Sequence, residues 1–187
     1  APTEIVNGNV CYKFVRPINL YNLWYAEYTG EKLAATMLRF APILAVAFCL
    51  PYGFSMTLPV SIVAFLLFLL SFAIGIMLSS AISMFIVLLI FKTHSPKGAT
   101  GIITTTCQLL GGGIVPLPLM PDKVQYILNF TPFRYTSDLP FRIYIGNIGI
   151  TEGLIYIGIS AAWLVGLVIL GKLLLAKTLK KAVIQGG

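Results

Sequence analysis

One uncharged run limits the folds open to this chain more than any other feature. From Val60 to Phe91 the sequence contains no Asp, Glu, Lys, Arg or His. As a single helix this run would reach about 48 Å, whereas the hydrocarbon core of a bilayer is about 30 Å thick. The run therefore predicts a helix that crosses a membrane and tilts, kinks or protrudes from it.

The composition of the whole chain agrees with a membrane protein. Hydrophobic residues make up 58% of the sequence and charged residues only 10%, against roughly 25% charged residues in soluble domains. The net charge of +7 could suggest a nucleic-acid partner, but the basic residues do not form a patch with stacking aromatics. They lie beside the apolar runs, where basic residues orient membrane proteins. We therefore expect membrane lipid around the chain and no nucleic acid.

Three further apolar runs complete a predicted bundle of four transmembrane helices. The fold class is therefore an all-α membrane protein. Arg39 lies near the start of the first span, where its aliphatic stem can lie in apolar surroundings while its charge reaches the interface. The four spans are expected at about 33–58, 60–91, 98–116 and 151–176.

The third predicted span is short and unusually polar. Thr104, Thr105 and Gln108 place two hydroxyls and an amide at membrane depth. Polar groups at that depth usually face the bundle interior or a wet cavity. A threonine hydroxyl can instead bond back to a carbonyl of its own helix, which is at least as plausible for each threonine alone. Gln108 is harder to explain in that way.

A separate amphipathic helix is predicted over residues 17–30, within a cytoplasmic segment at 1–32. Pro17 is suited to the first position of a helix and Gly30 to its end. One face of this helix carries the aromatic residues Tyr21, Trp24, Tyr25 and Tyr28, and the other carries Asn19, Asn22 and Ala26. Such a pattern is typical of a helix that lies along the membrane interface. The alternative is the ordinary buried face of a soluble helix.

The connection between the last two spans, residues 111–146, holds five of the eleven prolines. Pro121 and Asp122 can start one short helix, which Thr131-Pro132 ends. A second short helix can start at Asp138 with Pro140 and stop at Gly146. We expect two short helices at the membrane surface within an external connection at 117–150. An ordinary loop is the alternative, although long structured loops tend to be functional.

The distribution of basic residues predicts the orientation of the chain. One side of the predicted topology holds ten basic residues: Lys13, Arg16, Lys32, Arg39, Lys92, Lys97, Lys172, Lys177, Lys180 and Lys181. The other side holds three: Lys123, Arg134 and Arg142. Both ends and the loop at 92–97 are therefore expected in the cytoplasm, and the 111–146 connection outside.

Motifs for catalysis and for metal binding are missing from the sequence. No G-x-x-x-x-G-K-[ST] phosphate loop occurs, and Gly111-Gly112-Gly113 is better explained by close backbone approach or a helix break. The six acidic residues and the single His94 offer no paired carboxylates and no nucleophile with its base. The three cysteines, Cys11, Cys49 and Cys107, are far apart, which argues against a metal site. We therefore predict no enzyme activity, no catalytic residue and no metal in this chain.

Several short motifs resemble those of ABC exporter permeases of type two. The stretch from Gly8 through Arg16-Pro17-Ile18 resembles the cytoplasmic segment of these permeases, and Gly30 fits the same pattern. More specific is a series that is similar to their external connection before the last helix: Gly113, Pro116, Leu117, Pro121, Thr131, Pro132, Phe133, Pro140, Ile143, Tyr144 and Gly146. Lys92 departs from the pattern, because an aromatic residue is expected there.

The resemblance implies half of a permease that works with other subunits. Such permeases usually have six spans, so two further helices are expected upstream of this chain. The implied partners are a second permease, of the same or a different chain, and two ABC-type ATPase subunits. ATP and Mg would be bound by those ATPases, and this chain would hold no cofactor.

The resemblance also implies roles for the residues already singled out. Residues 17–30 would be the coupling helix that docks on the ATPase, with Pro17, Asn19, Asn22, Trp24, Ala26, Glu27 and Gly30. Thr104, Thr105 and Gln108 would line the translocation path. The external connection would depend on Pro116, Pro121, Pro132, Phe133, Pro140, Tyr144 and Gly146.

The implied function is the transmembrane subunit of an ATP-driven exporter in a bacterial inner membrane or a plasma membrane. The uncharged, threonine-rich third span favours an amphipathic or apolar cargo. A membrane sensor or partner subunit that binds a ligand through the external connection is the alternative. An ion-driven carrier ranks low, because such carriers usually need an ionisable residue at membrane depth.

Overall fold

The computed structural model describes residues 19–49, 59–93 and 95–185. Every regular element within these ranges is helical, in agreement with the all-α prediction. Pro17, His94, Cys11, the 8–18 motif and residues 50–58 of the first predicted span lie outside the described residues. The elements are α1 (Leu20–Cys49), α2 (Ile62–Thr93), α3 (Pro96–Leu110), a 3-10 turn (Leu117–Leu119), α4 (Asp122–Leu128), α5 (Arg134–Ile145) and α6 (Ile150–Gln185).

Two of the described helices are long and apolar enough to cross a membrane. They contain Ile62–Phe91 of α2 and Ile150–Leu179 of α6, with mean hydropathies of 2.7 and 2.3. The Ser61 hydroxyl accepts a hydrogen bond from the Ala64 backbone N–H at 3.1 Å, which satisfies one of the free donors at the start of α2. α2 is the central element, because α1, α3, α5 and α6 all pack against it.

Helix α1 combines two predicted elements into one. Its first turn is capped by Asn19, whose Oδ1 accepts a hydrogen bond from the Tyr21 N–H at 3.1 Å. Gly30 was predicted to end this helix but lies inside it. A glycine inside a helix costs only about 1 kcal/mol relative to alanine. Tyr25 and Lys32, on either side of Gly30, both hydrogen-bond to α2, which holds the two parts on a common axis.

Helix α3 follows only half of α2. Ala99 and Ile103 pack against Ile86 and Ile90 near the C-terminal end of α2. At 15 residues, α3 is about 22 Å long, shorter than the roughly 30 Å core of a bilayer. It ends at Leu110 rather than near Pro116, where the third span was expected to end.

A glycine-based break explains why α3 ends early. Gly112 adopts a φ of 83°, in the left-handed region that glycine enters at little cost. The carbonyl of Gln108 accepts hydrogen bonds from the N–H groups of Gly113 and Ile114, at 2.8 and 3.1 Å. The chain therefore turns away without leaving this carbonyl unpaired, and the predicted helix break is present.

Helix α5 follows the other half of α2. Gly75 of α2 lies so close to the start of α5 that a Cβ there would be 2.9 Å from the Thr136 carbonyl oxygen. At the far end, a Cβ on Gly146 would lie 2.7 Å from the Val60 side chain. Tyr135, Leu139 and Ile143 face inward along this line, in a cluster that includes Leu67, Phe68 and Leu78.

The sequence prediction for the 111–146 connection needs one correction. The second short helix begins at Arg134, well before Asp138, and Pro140 lies inside it. This helix lies alongside α2, and Tyr135, Leu139 and Ile143 of α5 belong to one apolar cluster with residues of α2. Its predicted end is correct, since Gly146 terminates it with a φ of 82°.

Helix α6 connects the two ends of the molecule. Near its beginning, Ile157 joins the cluster around α5. Farther along, Leu175 packs with the aromatic residues at the start of α1. α1 and α5 therefore pack near opposite ends of α2, and α6 contacts both.

Candidate functional site

The aromatic face of α1 is turned into the bundle. Tyr21, Trp24 and Tyr28 are buried, and Trp24 has no exposed surface. They pack in a cluster with Met84 and Val87 of α2 and Leu175 of α6, which we call the α1 cluster. These rings were expected to face lipid at the interface. They contact protein instead, because α2 and α6 present a matching apolar surface.

A glycine on α6 makes room for this arrangement. A Cβ on Gly171 would lie 2.8 Å from Cε2 of Tyr21. The Lys172 ammonium lies 5.8 Å from the centre of the same ring, within range of a cation–π contact. Gly171 therefore leaves space for the ring of Tyr21, and the charge of Lys172 attracts the ring, so α6 fixes its position.

The opposite face of α1 is the one that partners could reach. Asn19, Asn22, Ala26 and Gly30 are exposed, and Glu27 is half-buried. The sequence assigned these residues and Trp24 to one docking helix. The structure divides them, because Trp24 belongs to the packed face and the others to the open one.

The polar residues of α3 lie on its open side. Thr104, Thr105 and Gln108 are all exposed in this chain. The Thr104 hydroxyl donates to the Thr100 carbonyl at 2.6 Å, so the back-bonding alternative applies to this residue. The structure thus brings the three side chains to a surface of the single chain, not to an enclosed path within it.

An apolar cavity of about 320 Å³ lies where α3 ends and α5 begins. Pro132 and Phe133, both predicted site residues, form part of its wall. The other lining residues are Ile82, Phe85, Ile102, Ile103, Thr106 and Leu167. The Thr106 hydroxyl is the polar side-chain group of this lining, so the cavity suits hydrocarbon.

The connection at 117–150 contains a small charged network on α5. Asp138 Oδ2 lies 3.2 Å from Arg134 Nε and 3.7 Å from Arg142 Nη1. The guanidinium of Arg134 also lies 5.9 Å from the centre of the Tyr156 ring of α6. Two cations thus share one carboxylate, and the network ties α5 to α6.

The hydroxyl of Tyr135 ties α4 to α5. It donates a hydrogen bond of 2.6 Å to the carbonyl of Asn129.

The remaining predicted residues of the connection occupy different environments. Pro116 and Pro121 are exposed, whereas Pro132 and Phe133 are half-buried and Pro140 is buried. Tyr144 meets the ring of Phe68 edge-on, with 5.3 Å between the ring centres. These contacts support packing of the connection on α2, and they bring no reactive groups together.

Lys32 is a residue of interest that was not predicted from the sequence. Its ammonium donates a hydrogen bond to the Ser79 carbonyl at 3.0 Å and another to the Ser79 hydroxyl, far inside the uncharged run of α2. The residue was assigned to a cytoplasmic segment because Gly30 was taken as a helix end. The signal was present in the spacing, since Tyr25, Tyr28 and Lys32 follow one another on one face of an uninterrupted helix.

The described residues offer little to a metal ion. In the ranges 19–49, 59–93 and 95–185, no three His, Cys, Asp or Glu side chains come together as a metal site requires. Cys107 is half-buried and Cys49 is exposed. The groups available for chemistry here are hydrogen-bond donors, apolar surfaces and cations.

Comparison with protein families gives one match. The model of the ABC-2 family transporter proteins matches residues 15–173, which is most of the chain. No curated protein and no solved structure matches the chain significantly. The matched range covers α1 to α5 completely and most of α6.

Proposed function

Because this chain belongs to the ABC-2 family of transporter proteins, we propose that it is the membrane-spanning subunit of an ATP-driven exporter. The observation that carries the proposal is the family match over residues 15–173. The two helices long and apolar enough to cross a membrane agree with a permease. Export, rather than import, is part of the proposal.

The motor of this exporter is a separate subunit. ATP and Mg would be bound by an ABC-type ATPase, the partner that membership of the ABC-2 family implies. The exposed face of α1, with Asn19, Asn22 and Ala26, is the proposed docking surface. It lies near the end of the bundle where Lys97 and Lys177 are found, which the excess of basic residues assigns to the cytoplasm.

The continuity of α1 supports its role in coupling. A force applied near Asn22 acts on the same helix that carries Lys32 and then Arg39. Interfaces of this kind convert small displacements into a switch between two packed arrangements. The movement of the ATPase would therefore reach membrane depth without a flexible joint.

We propose four crossings, of which α3 and α5 together make the third. α3 follows one half of α2 and α5 the other, and they meet where a Cβ on Gly111 would lie 3.2 Å from the Phe133 carbonyl. Irregular backbone at membrane depth is tolerated where protein covers it or where it lines a cavity. Gly111 is buried and an apolar cavity lies beside it, and the exposed residues 113–116 would be covered by the second permease.

A second permease, of the same or a different chain, completes the proposed transporter. The second half of α1 and the open side of α3 expose apolar residues such as Leu38, Ile43 and Ile102. Thr104, Thr105 and Gln108 lie on that open side of α3. A partner placed there would turn these polar groups toward a shared path for an amphipathic or apolar cargo.

Purification of the native complex tests the proposal. The chain is extracted in detergent with its natural partners, and the co-purifying proteins are examined for an ATPase with a phosphate loop. We expect such an ATPase, and we expect its activity to respond to a panel of amphipathic molecules. Nucleotide hydrolysis by the isolated chain, or a chain that stays monodisperse in buffer without detergent, would contradict the proposal.

A further inference from the structure

The depth of Lys32 is unusual for a charged residue. Ser79, to which it is bonded, lies roughly 26 Å from Ile62 and 18 Å from Phe91 along α2, at 1.5 Å per residue. A hydrocarbon core of about 30 Å centred on this uncharged stretch would enclose Ser79. Lys32 therefore brings a cation to a depth near that of the Arg134–Asp138 pair, which begins α5 beside Gly75 of α2.

Charged residues are rare at such a depth, because their burial in hydrocarbon is energetically unfavourable. They usually face the bundle interior, pair with another group or mark the path of a substrate. Two ion pairs among the described residues join Asp138 to Arg134 and to Arg142, and neither of them includes Lys32. Within that part of the chain, no carboxylate balances Lys32.

The hydrogen bonds of Lys32 leave part of its capacity unused. A lysine ammonium has three donors, and Ser79 accepts two of them. Cys107, in the last turn of α3, lies within electrostatic range of Lys32. The carbonyl end of α3 supplies at most about half a negative charge. One donor and much of the positive charge remain available to an anion.

The ammonium can be reached from the side of the molecule. Lys32 is only half-buried, and α1 and α3 do not pack extensively against each other. Thr104 lies one turn before Cys107 on the same face of α3, and its side chain is exposed. The opening between α1 and α3 is thus lined by Lys32 of α1 and by Cys107 and Thr104 of α3.

We propose that Lys32, held by Ser79, binds the anionic headgroup of an amphipathic cargo that enters between α1 and α3. The headgroup would be a phosphate or carboxylate, and its hydrocarbon tail would follow the exposed apolar surface of the two helices. Calling the molecule a cargo rests on the proposed transport function. The anion site itself rests on the geometry of Lys32.

Cys107 provides a direct probe of this site. In a Cys11→Ala, Cys49→Ala background, it is the single thiol of the chain. The purified protein in nanodiscs of zwitterionic phosphatidylcholine is treated with an anionic and a cationic methanethiosulfonate reagent of similar size. The ratio of the two rates reports the electrostatic potential beside Lys32.

We expect the anionic reagent to react faster than the cationic one, and Lys32→Met to lower the rate ratio by about tenfold. Lys32→Arg should preserve the ratio. Lys177→Met, which removes an exposed lysine elsewhere, is the matched control and should leave it unchanged. An unchanged ratio in Lys32→Met would overturn the proposal, as would a Cys107 that neither reagent reaches in otherwise folded protein.

Protection of Cys107 identifies the ligand chemistry. Dodecyl phosphate is expected to slow its modification at least fivefold, whereas dodecyl maltoside and dodecyltrimethylammonium should not. The protection should disappear in Lys32→Met. Equal protection by all three amphiphiles, or protection that survives Lys32→Met, would show that no headgroup is recognised there.

Three further outcomes distinguish a lipid from a cargo and the anion site from the transport function. If nanodiscs that contain phosphatidic acid protect Cys107 as well as dodecyl phosphate does, the site holds a lipid headgroup and the assignment to cargo is wrong. If no ATPase co-purifies but dodecyl phosphate still protects, the site stands and the transport proposal fails. If Lys32→Met leaves stimulation of a co-purified ATPase by dodecyl phosphate intact, the transporter stands and the cargo site fails.

Discussion

Gly75 shows how closely the helices of this molecule approach each other. A Cβ at this position would lie 2.9 Å from the Thr136 carbonyl oxygen and 3.2 Å from that of Tyr135. Both atoms belong to the backbone of α5, which cannot move aside as a flexible side chain can. The residue therefore sets the distance between α2 and α5.

The first prediction concerns this glycine. Gly75→Ala should destabilise the protein by about 1–3 kcal/mol, the usual range for overpacking. Gly101→Ala is the matched control, because nothing lies within 4 Å of a Cβ there and alanine is the better helix former. Thermal unfolding in detergent measures both. Equal effects at the two positions would show that α5 does not pack on Gly75.

Two tyrosine hydroxyls differ in their hydrogen bonds, which gives a second prediction. The buried hydroxyl of Tyr28 has no hydrogen-bond partner among the described residues, whereas that of Tyr135 donates to the Asn129 carbonyl. Tyr135→Phe should cost about 1 kcal/mol, the typical net contribution of one hydrogen bond. Tyr28→Phe should be neutral or slightly stabilising. Thermal unfolding of the two variants compares them, and the reverse order would contradict the structure.

Lys32 illustrates what could not be inferred from single residues. Its identity and its position on the aromatic face of the helix were readable from the spacing. Its depth was not, because depth depends on whether Gly30 ends the helix. That outcome is decided by contacts with α2, at Met77 and Ser79, which are far away in sequence.

At the scale of elements, the pattern of α1 was predicted but not its surroundings. Period-3.6 spacing identifies an aromatic face, and such a face exists. Periodicity does not tell whether lipid or protein covers that face. The covering residues come from α2 and α6, including Gly171, which leaves space for the ring of Tyr21.

The short helices of the connection show a similar limit. The end at Gly146 was predictable because left-handed backbone favours glycine. The start at Arg134 was missed, because the expectation relied on Asp138 and Pro140 as starting residues. Burial of Tyr135 and Leu139 against α2 extends the helix toward its N-terminus, and this stabilisation is tertiary.

The third prediction tests the open face of α1. Asn22→Trp combined with Ala26→Trp adds bulk to two exposed positions, and should reduce ATP-coupled transport severalfold while the chain still folds. Steric obstruction of the docked ATPase is the reason. The ratio of cargo moved to ATP hydrolysed, in proteoliposomes with the co-purified ATPase, is the measurement.

Ile155→Trp is the control for this experiment, because Ile155 is exposed but lies near the beginning of α6, far from the start of α1. The control should preserve the coupling ratio. If the double variant assembles with the ATPase and couples normally, this face is not the docking surface. If Ile155→Trp is equally damaging, the chain is sensitive to added bulk in general.

At the scale of the whole molecule, the number of crossings cannot be counted from apolar runs alone. The sequence suggested four comparable spans. In the described residues, α2 and α6 are long and apolar enough to cross alone, whereas α3 and α5 each follow about half of α2. The difference between these two kinds of helix arises from the glycine break at 111–113 and from the packing of α5 on α2. Neither feature changes the hydropathy of the sequence.

Orientation is the property on which the rest of the functional argument depends, and the fourth prediction tests it. The ten-to-three distribution of basic residues assigns Lys97 to the cytoplasm and Asn147, which is exposed just after α5, to the outside. Single cysteines at these two positions, in a background with Cys11, Cys49 and Cys107 replaced by alanine, report the side of each. A membrane-impermeant maleimide is applied to intact cells.

We expect Asn147→Cys to react in intact cells and Lys97→Cys to react only after the membrane is permeabilised. Each variant is its own control, because permeabilisation should expose both. The opposite pattern would place Asn22 and Ala26 outside the cell, since the start of α1 packs beside the end of α2 that precedes Lys97. A cytoplasmic ATPase could not then reach this face, and coupling through α1 would be impossible.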